Sequence, residues 1–272
     1  MPRPSVGDKR RTFRKLHESS CWVIPNPWDV GSARYLQGLG FKALATTSSG
    51  HAHSEGYPDG AQSMDEVLAH YRELAEATDI PLNADFENGY ADDPAGVAAN
   101  VKLCIDTGVA GLSIEDFTGD KAKPLYERGL AIERIKAARA AIDADKSGVL
   151  LTGRCEAFLR GQTDLKLVID RLTAYAEAGA DCLYAPAIKT RDEISAVVKA
   201  VHPKPVNLLI GASGLSVKEA EDLGVRRISV GGSLARTAWA GFMRAAREMA
   251  EKGTFTELAT GYPGGELNKL FG

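Results

Sequence analysis

The sequence predicts an α/β protein built as a (β/α)8 TIM-type barrel. Eight short apolar runs typical of buried strands recur along the 272 residues, and segments with helical patterning separate them. No Pro-, Gly- or Ser-rich linker divides the chain. The main alternative, a doubly wound open sheet, is disfavoured by the even spacing of the units and by the lack of a glycine-rich phosphate fingerprint after the first strand. We therefore expect a single barrel domain over residues 1–272, with the barrel core at about 20–252.

The strand-like runs are short and rich in apolar side chains. They cover residues 22–28, 43–47, 81–87, 111–117, 149–155, 182–187, 206–210 and 227–230. Phrases such as Leu39-Gly40-Phe41 and Leu223-Gly224-Val225 come directly before a run. Glycine is expected there as the residue that ends a helix before the chain turns into the next strand. The pattern therefore predicts parallel strands joined by helices.

Amphipathic segments lie between the runs, and residues 164–178 form the clearest of them. Their apolar side chains fall on one face at i, i+3 and i+4 spacing. Comparable segments cover residues 97–106, 130–143 and 234–252. An N-terminal helix at 9–17 is expected to lie against the barrel. A C-terminal extension at 253–272 is expected to dock on another surface, such as a neighbouring subunit.

Composition narrows the class of protein. The hydrophobic (44%) and charged (25%) fractions are ordinary for a globular domain, and a net charge of −3 gives no electrostatic case for nucleic acid or an anionic membrane as a partner. No apolar run reaches the roughly 20 residues that span a bilayer, and the polar, basic N-terminus predicts no signal peptide. The four cysteines are widely spaced, which argues against a zinc site or a disulfide scaffold and indicates a reducing cytoplasm.

Two of the strand-like runs end in carboxylates. Asp85 and Glu87 close the third run, and Glu115 lies near the end of the fourth. A single acid at such a place could be a helix N-cap or a loop salt bridge, but three on neighbouring strands repel one another unless a cation gathers them. Hard oxygen ligands suit Mg²⁺ or Mn²⁺ better than zinc. The sequence therefore predicts a magnesium or manganese site where these strands end.

Other polar residues at strand ends indicate anion binding. Arg154 lies at the end of the fifth run, either as a salt-bridge partner of Glu87 or Glu115 or as a planar donor to a substrate carboxylate. Thr47-Ser48-Ser49-Gly50 is either a plain turn or a set of hydroxyl and N–H donors for a carboxylate or phosphonate. Gly231-Gly232-Ser233 after the eighth run is either a phosphate cradle or glycine for close helix packing.

Several motifs, taken together in their order and spacing, resemble one enzyme superfamily. They are Asn26-Pro27-Trp28-Asp29-Val30-Gly31-Ser32-Ala33-Arg34, Thr47-Ser48-Ser49-Gly50, Gly56-Tyr57-Pro58-Asp59-Gly60, Asp85-Phe86-Glu87-Asn88-Gly89-Tyr90, Ile114-Glu115-Asp116 and Gly153-Arg154-Cys155-Glu156-Ala157. The chain is similar in these motifs to the isocitrate lyase / phosphoenolpyruvate mutase superfamily, which includes oxaloacetate decarboxylases, methylisocitrate lyases and phosphonomutases. The resemblance runs from residue 26 to about residue 232.

This resemblance implies a role for each matching residue. It assigns Asp85, Glu87 and Glu115 to Mg²⁺, directly or through waters, Asp59, Glu115 and Arg154 to catalysis, and Trp28, Thr47, Ser48, Ser49 and Arg154 to substrate binding. The chemistry of the superfamily passes through a pyruvate enolate, which the metal stabilises. The resemblance also implies a homo-oligomer, either a tetramer or a dimer, in which C-terminal helices pack across subunits.

Two departures from the superfamily pattern bear on the reaction. The lyases carry a cysteine in the loop after the fourth strand, whereas residues 117–125 of this chain contain none. Glu87 also stands in place of the usual second aspartate. Because solvent can protonate an enolate, decarboxylation does not need a dedicated cysteine. Decarboxylation is therefore the reaction that agrees best with this loop.

We therefore expect a Mg²⁺-dependent carbon–carbon lyase or decarboxylase that acts on a small 2-oxo or 2-hydroxy dicarboxylate similar to oxaloacetate. One alternative is P–C bond chemistry, as in a phosphoenolpyruvate phosphonomutase or a phosphonopyruvate hydrolase. A second is a retro-aldol lyase whose acid is Lys121, Lys123 or Tyr126. A third is a barrel that binds a keto acid without turning it over, and the set of acids weighs against it.

Overall fold

The computed structural model describes residues 2–18, 20–211 and 214–271 and contains eight parallel strands. They are β1 (Trp22–Ile24), β2 (Leu44–Ala45), β3 (Leu82–Asp85), β4 (Gly111–Glu115), β5 (Leu150–Arg154), β6 (Cys182–Tyr184), β7 (Val206–Leu209) and β8 (Arg227–Ser229). Neighbours pair in the order β1-β8-β7-β6-β5-β4-β3-β2. The two ends of this sheet approach each other, because the Ala45 N–H donates to the Pro25 carbonyl at 3.1 Å. The predicted (β/α)8 barrel is confirmed.

Helices surround the barrel. They are α1 (Val6–His17), α2 (Val30–Gly38), α3 (Ser48–Ser54), α4 (Met64–Ala77), α5 (Pro94–Ile105), α6 (Arg128–Asp145), α7 (Leu165–Glu177), α8 (Arg191–Val201), α9 (Val217–Asp222), α10 (Ser233–Lys252) and α11 (Gly264–Phe271). Capping side chains set several of the starts: Ser63 begins α4 and Thr190 begins α8, each in a reciprocal box with a glutamate. The C-terminal extension adds a 3₁₀ helix (Thr256–Thr260), and α11 contacts α2 of the same chain. No helix in the described part of the chain is long and apolar enough to cross a membrane.

The predicted strands begin within one residue of the observed ones but end one to four residues too late. The parallel ladder stops where the backbone leaves the extended conformation. Glu87, after β3, has φ 44°, and Ala187, after β6, has φ 71°. The stretch at 47–50 is not a plain turn, because Thr47 caps α3 and the next residues are helical. The polar strand ends therefore belong to turns and caps that border the mouth of the barrel.

Two apolar clusters stabilise the fold, one between the strands and the helices and one inside the barrel under α1. Phe13 of α1 is fully buried in the inner cluster with Ile24, Ala43 and Leu150. A Cβ atom at Gly111 would lie 2.5 Å from the Phe13 ring, so glycine is needed at that position. Because α1 closes the end of the barrel where the strands begin, a ligand cavity is expected at the other end.

Candidate active site

A cavity of about 350 Å³ lies at the carboxyl ends of the strands and reaches into the barrel. Barrel interiors are usually filled by Val, Ile and Leu. Here the deeper wall is polar and is formed by Asn83, Ser113, Asn207, Arg227 and Ser229. The predicted site residues that line the cavity are Thr47, Ser48, Ser49, Asp59, Asp85 and Arg154. A polar interior of this kind is typical of a ligand site rather than of a packed core.

Asp85, the last residue of β3, accepts four hydrogen bonds. The backbone N–H and the hydroxyl of Ser48 both donate to Oδ2 at 3.3 Å. The Ser113 hydroxyl and Arg154 Nη1 donate to Oδ1 at 3.4 Å and 3.0 Å. The Asp85 N–H donates in turn to Thr46 Oγ1 at 2.8 Å, which fixes the backbone. The carboxylate is therefore held between the start of α3 and a guanidinium.

Arg154, the last residue of β5, joins the acids of the site. Its Nη1 lies 3.0 Å from Asp85 and 3.3 Å from Glu115, and its Nε donates to Glu156 at 2.6 Å. The guanidinium carbon lies 5.2 Å from the Tyr184 ring centroid. The salt bridge to Glu115 that the sequence left open is therefore present. These contacts use Nε and Nη1, and no hydrogen bond to Nη2 is present among the residues that the structure describes.

A second buried network supports Arg154 through Glu156. Asp116, which is buried, accepts the Glu156 N–H at 2.8 Å, Arg171 Nη1 at 3.1 Å and the Tyr175 hydroxyl at 2.7 Å. Three donors compensate for the removal of the Asp116 charge from water. Because Glu156 is fixed at its N–H and at its carboxylate, Arg154 has a rigid partner.

The other two predicted metal ligands are more crowded than Asp85. Burial raises the pKa of Glu115 well above its usual value, and the charge of Arg154 opposes this increase. Burial raises the pKa of Glu87 to about 7, and the neighbouring charges of Asp85 and Asp59 add to the effect. Neither glutamate is among the residues that line the cavity. Crowded carboxylates of this kind gain stability from a nearby cation.

The three predicted metal ligands are chemically suited to a divalent cation but are not grouped around one point. Within residues 2–18, 20–211 and 214–271, no three His, Cys, Asp or Glu side chains are grouped closely enough to hold a metal ion as they stand. Asp85, Glu87 and Glu115 nevertheless offer the hard oxygen atoms that Mg²⁺ prefers, and their mutual repulsion is what a cation would relieve. The residues thus fit a divalent cation by their chemistry, and their role as ligands stays a prediction.

Helix α3 presents the residues predicted to bind a carboxylate. Thr47 Oγ1 accepts the Gly50 N–H at 3.3 Å and lies 3.3 Å from Ser49 Oγ. Thr47 is buried, Ser48 and Ser49 are half-buried, and all three line the cavity. The first N–H groups of a helix are donors for an anion, so this arrangement suits a carboxylate. Trp28 is half-buried and is not on the cavity wall, so its substrate role stays a prediction.

Two exposed residues of opposite charge stand at the mouth of the cavity. Asp59 lies in the loop after α3, and Arg236 lies in the first turn of α10. Arg236 Nη2 donates to Ser233 Oγ at 3.0 Å, and no carboxylate in the described part of the chain forms a salt bridge with it. Sequence reasoning missed Arg236, because an arginine at the start of a surface helix is usually solvated. The only signal was the preceding Gly231-Gly232-Ser233.

Asn26, which lies in one of the motifs but had no predicted role, forms hydrogen bonds that link three strand ends. Its Oδ1 accepts the N–H groups of Val230 and Gly231, both at 2.9 Å, and its Nδ2 donates to the Thr46 carbonyl at 2.9 Å. These bonds span the place where β1, β2 and β8 meet. The asparagine therefore shapes the cavity wall beside Thr47 and the glycine-rich start of α10.

The loop after β4 forms a short hairpin in which Phe117 and Leu125 pair as an antiparallel bridge. The Arg160 guanidinium carbon lies 3.5 Å from the Phe117 ring centroid, which holds the base of the loop. All residues of 117–129 are described, and none of them lines the cavity. The Tyr126 hydroxyl instead donates to Asp92 at 2.6 Å. The three candidate acids of this loop are therefore away from the cavity wall.

Comparison with known proteins adds to this geometry. The chain matches the phosphoenolpyruvate phosphomutase family over residues 13–250. It is 34% identical to 2-methylisocitrate lyase of Escherichia coli (strain K12) over 170 residues, which are 59% of this chain and 55% of that enzyme. It is 29% identical to oxaloacetate decarboxylase of Rhodopseudomonas palustris (strain BisB5) over 239 residues, 82% and 77% of the two chains. A solved structure from Burkholderia cenocepacia J2315, provisionally assigned as a lyase or mutase, is 47% identical with a TM-score of 0.95 over 98% of this chain and 97% of that one.

The chain folds into a barrel in which Arg154 contacts Asp85 and Glu115 at the carboxyl end, and it matches known proteins of one group. It is therefore a barrel of the isocitrate lyase / phosphoenolpyruvate mutase superfamily. Within that superfamily the chain belongs to the phosphoenolpyruvate phosphomutase family. The resemblance inferred from the motifs is confirmed. Its relatives include lyases, which supports an enzyme of this kind.

Proposed function

We propose that the protein is a carbon–carbon lyase that decarboxylates a small 2-oxo dicarboxylate similar to oxaloacetate through a pyruvate enolate, with Mg²⁺ or Mn²⁺ as its cofactor. The observation that carries this proposal is that Arg154 forms salt bridges with both Asp85 and Glu115 beside the start of α3. Carboxylates that can hold a cation and a guanidinium that can hold an anion are what an enolate needs. When bound, the cation would supply Lewis-acid stabilisation of the enolate charge.

The residues of the chain bind and orient the substrate in this proposal. Arg154 Nη2 and the hydroxyl groups of Thr47 and Ser49 bind the carboxylate beside the keto group. Ser48 does not take part, because its N–H and hydroxyl already donate to Asp85. Arg236, at the mouth of the cavity, binds the second carboxylate. A cavity with one cationic side chain for each carboxylate favours a dicarboxylate over a monocarboxylate. Loss of the second carboxylate as CO₂ leaves the electron pair of the broken bond in the enolate.

P–C bond chemistry is the second candidate function. Arg236 and the backbone of Gly232 and Ser233 lie together on the cavity wall and would also suit a phosphonate. The match to the phosphoenolpyruvate phosphomutase family favours this candidate as well. The two functions differ in which bond of a similar three-carbon skeleton is broken, so a product assay separates them.

The test is an assay of the purified protein with MgCl₂ and oxaloacetate, with pyruvate measured through lactate dehydrogenase. Release of pyruvate well above the rate with metal alone is expected. Phosphonopyruvate is offered in parallel, with phosphate and phosphoenolpyruvate as the products measured. Turnover of phosphonopyruvate but not of oxaloacetate would replace the first function with the second. Mg²⁺-dependent binding of oxalate without turnover of either acid would overturn both and indicate a keto-acid-binding barrel.

We also propose that the protein is a homo-oligomer, a tetramer or a dimer. Helix α10 has 20 residues, but only Ala235 and Glu248 in it are buried. Trp239, Phe242 and Met243 are exposed, with 62% of Phe242 accessible. The helix after the last strand of a barrel normally buries an apolar face, so this face indicates a missing partner. A second copy of the chain is the proposed occupant, because this face continues from the mouth of the cavity at α10.

Replacing Trp239 and Phe242 together with glutamate is expected to convert the oligomer into monomers of 29.0 kDa. Two charges in an apolar interface remain unpaired and oppose association. The mass is measured by light scattering coupled to size-exclusion chromatography. Leu103→Glu, at an exposed apolar residue of α5, is the matched control and should keep the mass of the wild type. A monomeric wild type would contradict the proposal.

A further inference from the structure

Tyr184 lies where a proton donor to the enolate would be needed, although no motif pointed to it. It is the last residue of β6 and pairs in register with Arg154 on one side and Asn207 on the other. Only 9% of its surface is exposed, and it is one of the residues that line the cavity. The Arg154 guanidinium, assigned to the substrate carboxylate, lies 5.2 Å from its ring centroid. The tyrosine therefore borders the space in which the substrate would bind.

A chain of hydrogen bonds with a fixed direction leads from Arg227 to Ser229, which lines the cavity together with Tyr184. Arg227 Nε donates to Asn207 Oδ1 at 2.8 Å. A guanidinium has no acceptor atoms, so the Asn207 oxygen must face Arg227 and its Nδ2 must face Ser229. Nδ2 donates to Ser229 Oγ at 2.9 Å. The side-chain oxygens of Asn207 and Ser229 therefore both accept hydrogen bonds within this chain, and both residues line the cavity with Tyr184.

Arg227 itself is held firmly, so this direction does not reverse. It is buried inside the barrel, Nη2 donates to Thr152 Oγ1 at 3.1 Å, and Nη1 lies 3.1 Å from Nε2 of His17 on α1. The Nδ1 atom of His17 lies 2.8 Å from the Phe13 carbonyl and so carries the donated proton, which leaves Nε2 as the acceptor for Arg227. The chain thus runs from α1 through the barrel to the wall of the cavity.

The hydrogen-bond chain also bears on what the Tyr184 proton can be donated to. Asn207 Oδ1 accepts from Arg227 and Ser229 Oγ accepts from Asn207, and neither oxygen accepts a hydrogen bond from Tyr184. Among the described residues no side chain or carbonyl accepts a hydrogen bond from the Tyr184 hydroxyl, and Tyr184 lines the cavity. Burial raises the pKa of Tyr184 to about 12, so the group carries its proton at neutral pH. Tyr184 therefore offers an O–H donor to whatever occupies the cavity.

We propose that Tyr184 is the general acid that protonates C3 of the pyruvate enolate, an assignment that rests on the proposed function. The phenol O–H bond breaks, the π electrons of the enolate form the new C3–H bond, and the enolate oxygen becomes the keto oxygen of pyruvate. The positive charge of the Arg154 guanidinium, 5.2 Å from the ring centroid, stabilises the phenolate. It recovers its proton from water in the cavity once the product has left.

The first test follows the exchange of the C3 hydrogens of pyruvate in D₂O with MgCl₂ by proton NMR. Exchange requires formation and reprotonation of the enolate but not cleavage of a C–C bond. Tyr184→Phe is expected to slow exchange by about 100-fold or more, while Mg²⁺-dependent oxalate binding shows that the site is intact. Tyr126→Phe is the matched control and should exchange at the rate of the wild type, because that hydroxyl is bonded to Asp92.

The second test determines which face of the enolate receives the proton. With 3-methyloxaloacetate in D₂O, the wild type is expected to give one enantiomer of 3-deuterated 2-oxobutyrate. Tyr184→Phe should still cleave the C–C bond to within about tenfold, because its ring remains under Arg154, but should release a racemic product. A structural role of the tyrosine would slow cleavage without changing the stereochemistry.

The possible outcomes separate this inference from the function on which it rests. Exchange and stereochemistry in Tyr184→Phe that equal those of the wild type would overturn the role of Tyr184 and leave the decarboxylase proposal standing. A wild type that neither exchanges pyruvate nor cleaves oxaloacetate would overturn the proposed function and the Tyr184 assignment together. A racemic product from the wild type would show that solvent is the acid, and would also overturn the assignment.

Discussion

Replacing Asp85 with alanine is expected to lower oxaloacetate turnover by about 1000-fold or more and to leave the barrel folded. The carboxylate accepts four hydrogen bonds from Ser48, Ser113 and Arg154, and its removal leaves these donors without their common partner. It also removes the proposed cation ligand that reaches the cavity wall. The fold should survive, since the apolar clusters do not depend on this side chain.

The measurement compares pyruvate release and the binding of oxalate with Mg²⁺ in the two proteins. Asp170→Ala is the matched control, because Asp170 is an exposed carboxylate paired with Arg128 on the outside of the barrel. Asp170→Ala should keep the activity of the wild type. Wild-type turnover and Mg²⁺-dependent oxalate binding in Asp85→Ala would contradict the assignment of this acid to the metal and the substrate.

The convergence of Asp85, Glu115 and Arg154 could be predicted from the sequence for a simple topological reason. Each ends an apolar run, and the carboxyl ends of parallel strands meet at one end of a barrel. No side-chain geometry was needed for that step, only the order of the strands. The metal role of the acids could not be reached in the same way, since it depends on distances between side chains and not on where the strands end.

The hydrogen-bond chain from Arg227 through Asn207 to Ser229 could not be predicted from the sequence. Asn207 and Arg227 lie within short strands, and a charged residue in a strand usually faces solvent. Whether such a residue points into the barrel depends on its register against two neighbouring strands. Only the fold shows that Arg227 is buried among neutral acceptors and that its bonds orient Asn207.

Helix α3 shows how local propensity can mislead. Its sequence of serine, glycine and histidine contains weak helix formers, so it reads as a loop. The helix is stabilised by the Thr47 cap and by close packing at Gly50, where a Cβ atom would lie 2.6 Å from Thr47 Cγ2. Tertiary contacts therefore convert the predicted turn into a short helix whose start offers donors to the cavity.

Replacing Arg154 with methionine is expected to affect both stability and activity. Arg154 is largely buried, with 14% of its side chain exposed, and Glu115 and Glu156 are more buried still. Its removal leaves buried carboxylates without their cation, which typically costs about 3–5 kcal/mol. Arg154→Lys should recover part of the stability, because the charge returns, but not the activity, because an ammonium cannot replace a planar donor that contacts three carboxylates and still reaches the substrate.

The free energy of unfolding is measured by urea titration of the metal-free protein, and activity by pyruvate release. Arg160→Met is the matched control, because Arg160 pairs with the same Glu156 at 2.9 Å but is 33% exposed. Its loss is expected to cost about 1 kcal/mol or less. If Arg154→Lys kept full turnover, a point charge would suffice and the proposed role of Arg154 as a planar donor would be wrong. If Arg154→Met were as stable as the wild type, the buried acids would have to be protonated in the metal-free protein, and the raised pKa of Glu115 would then dominate over its salt bridge.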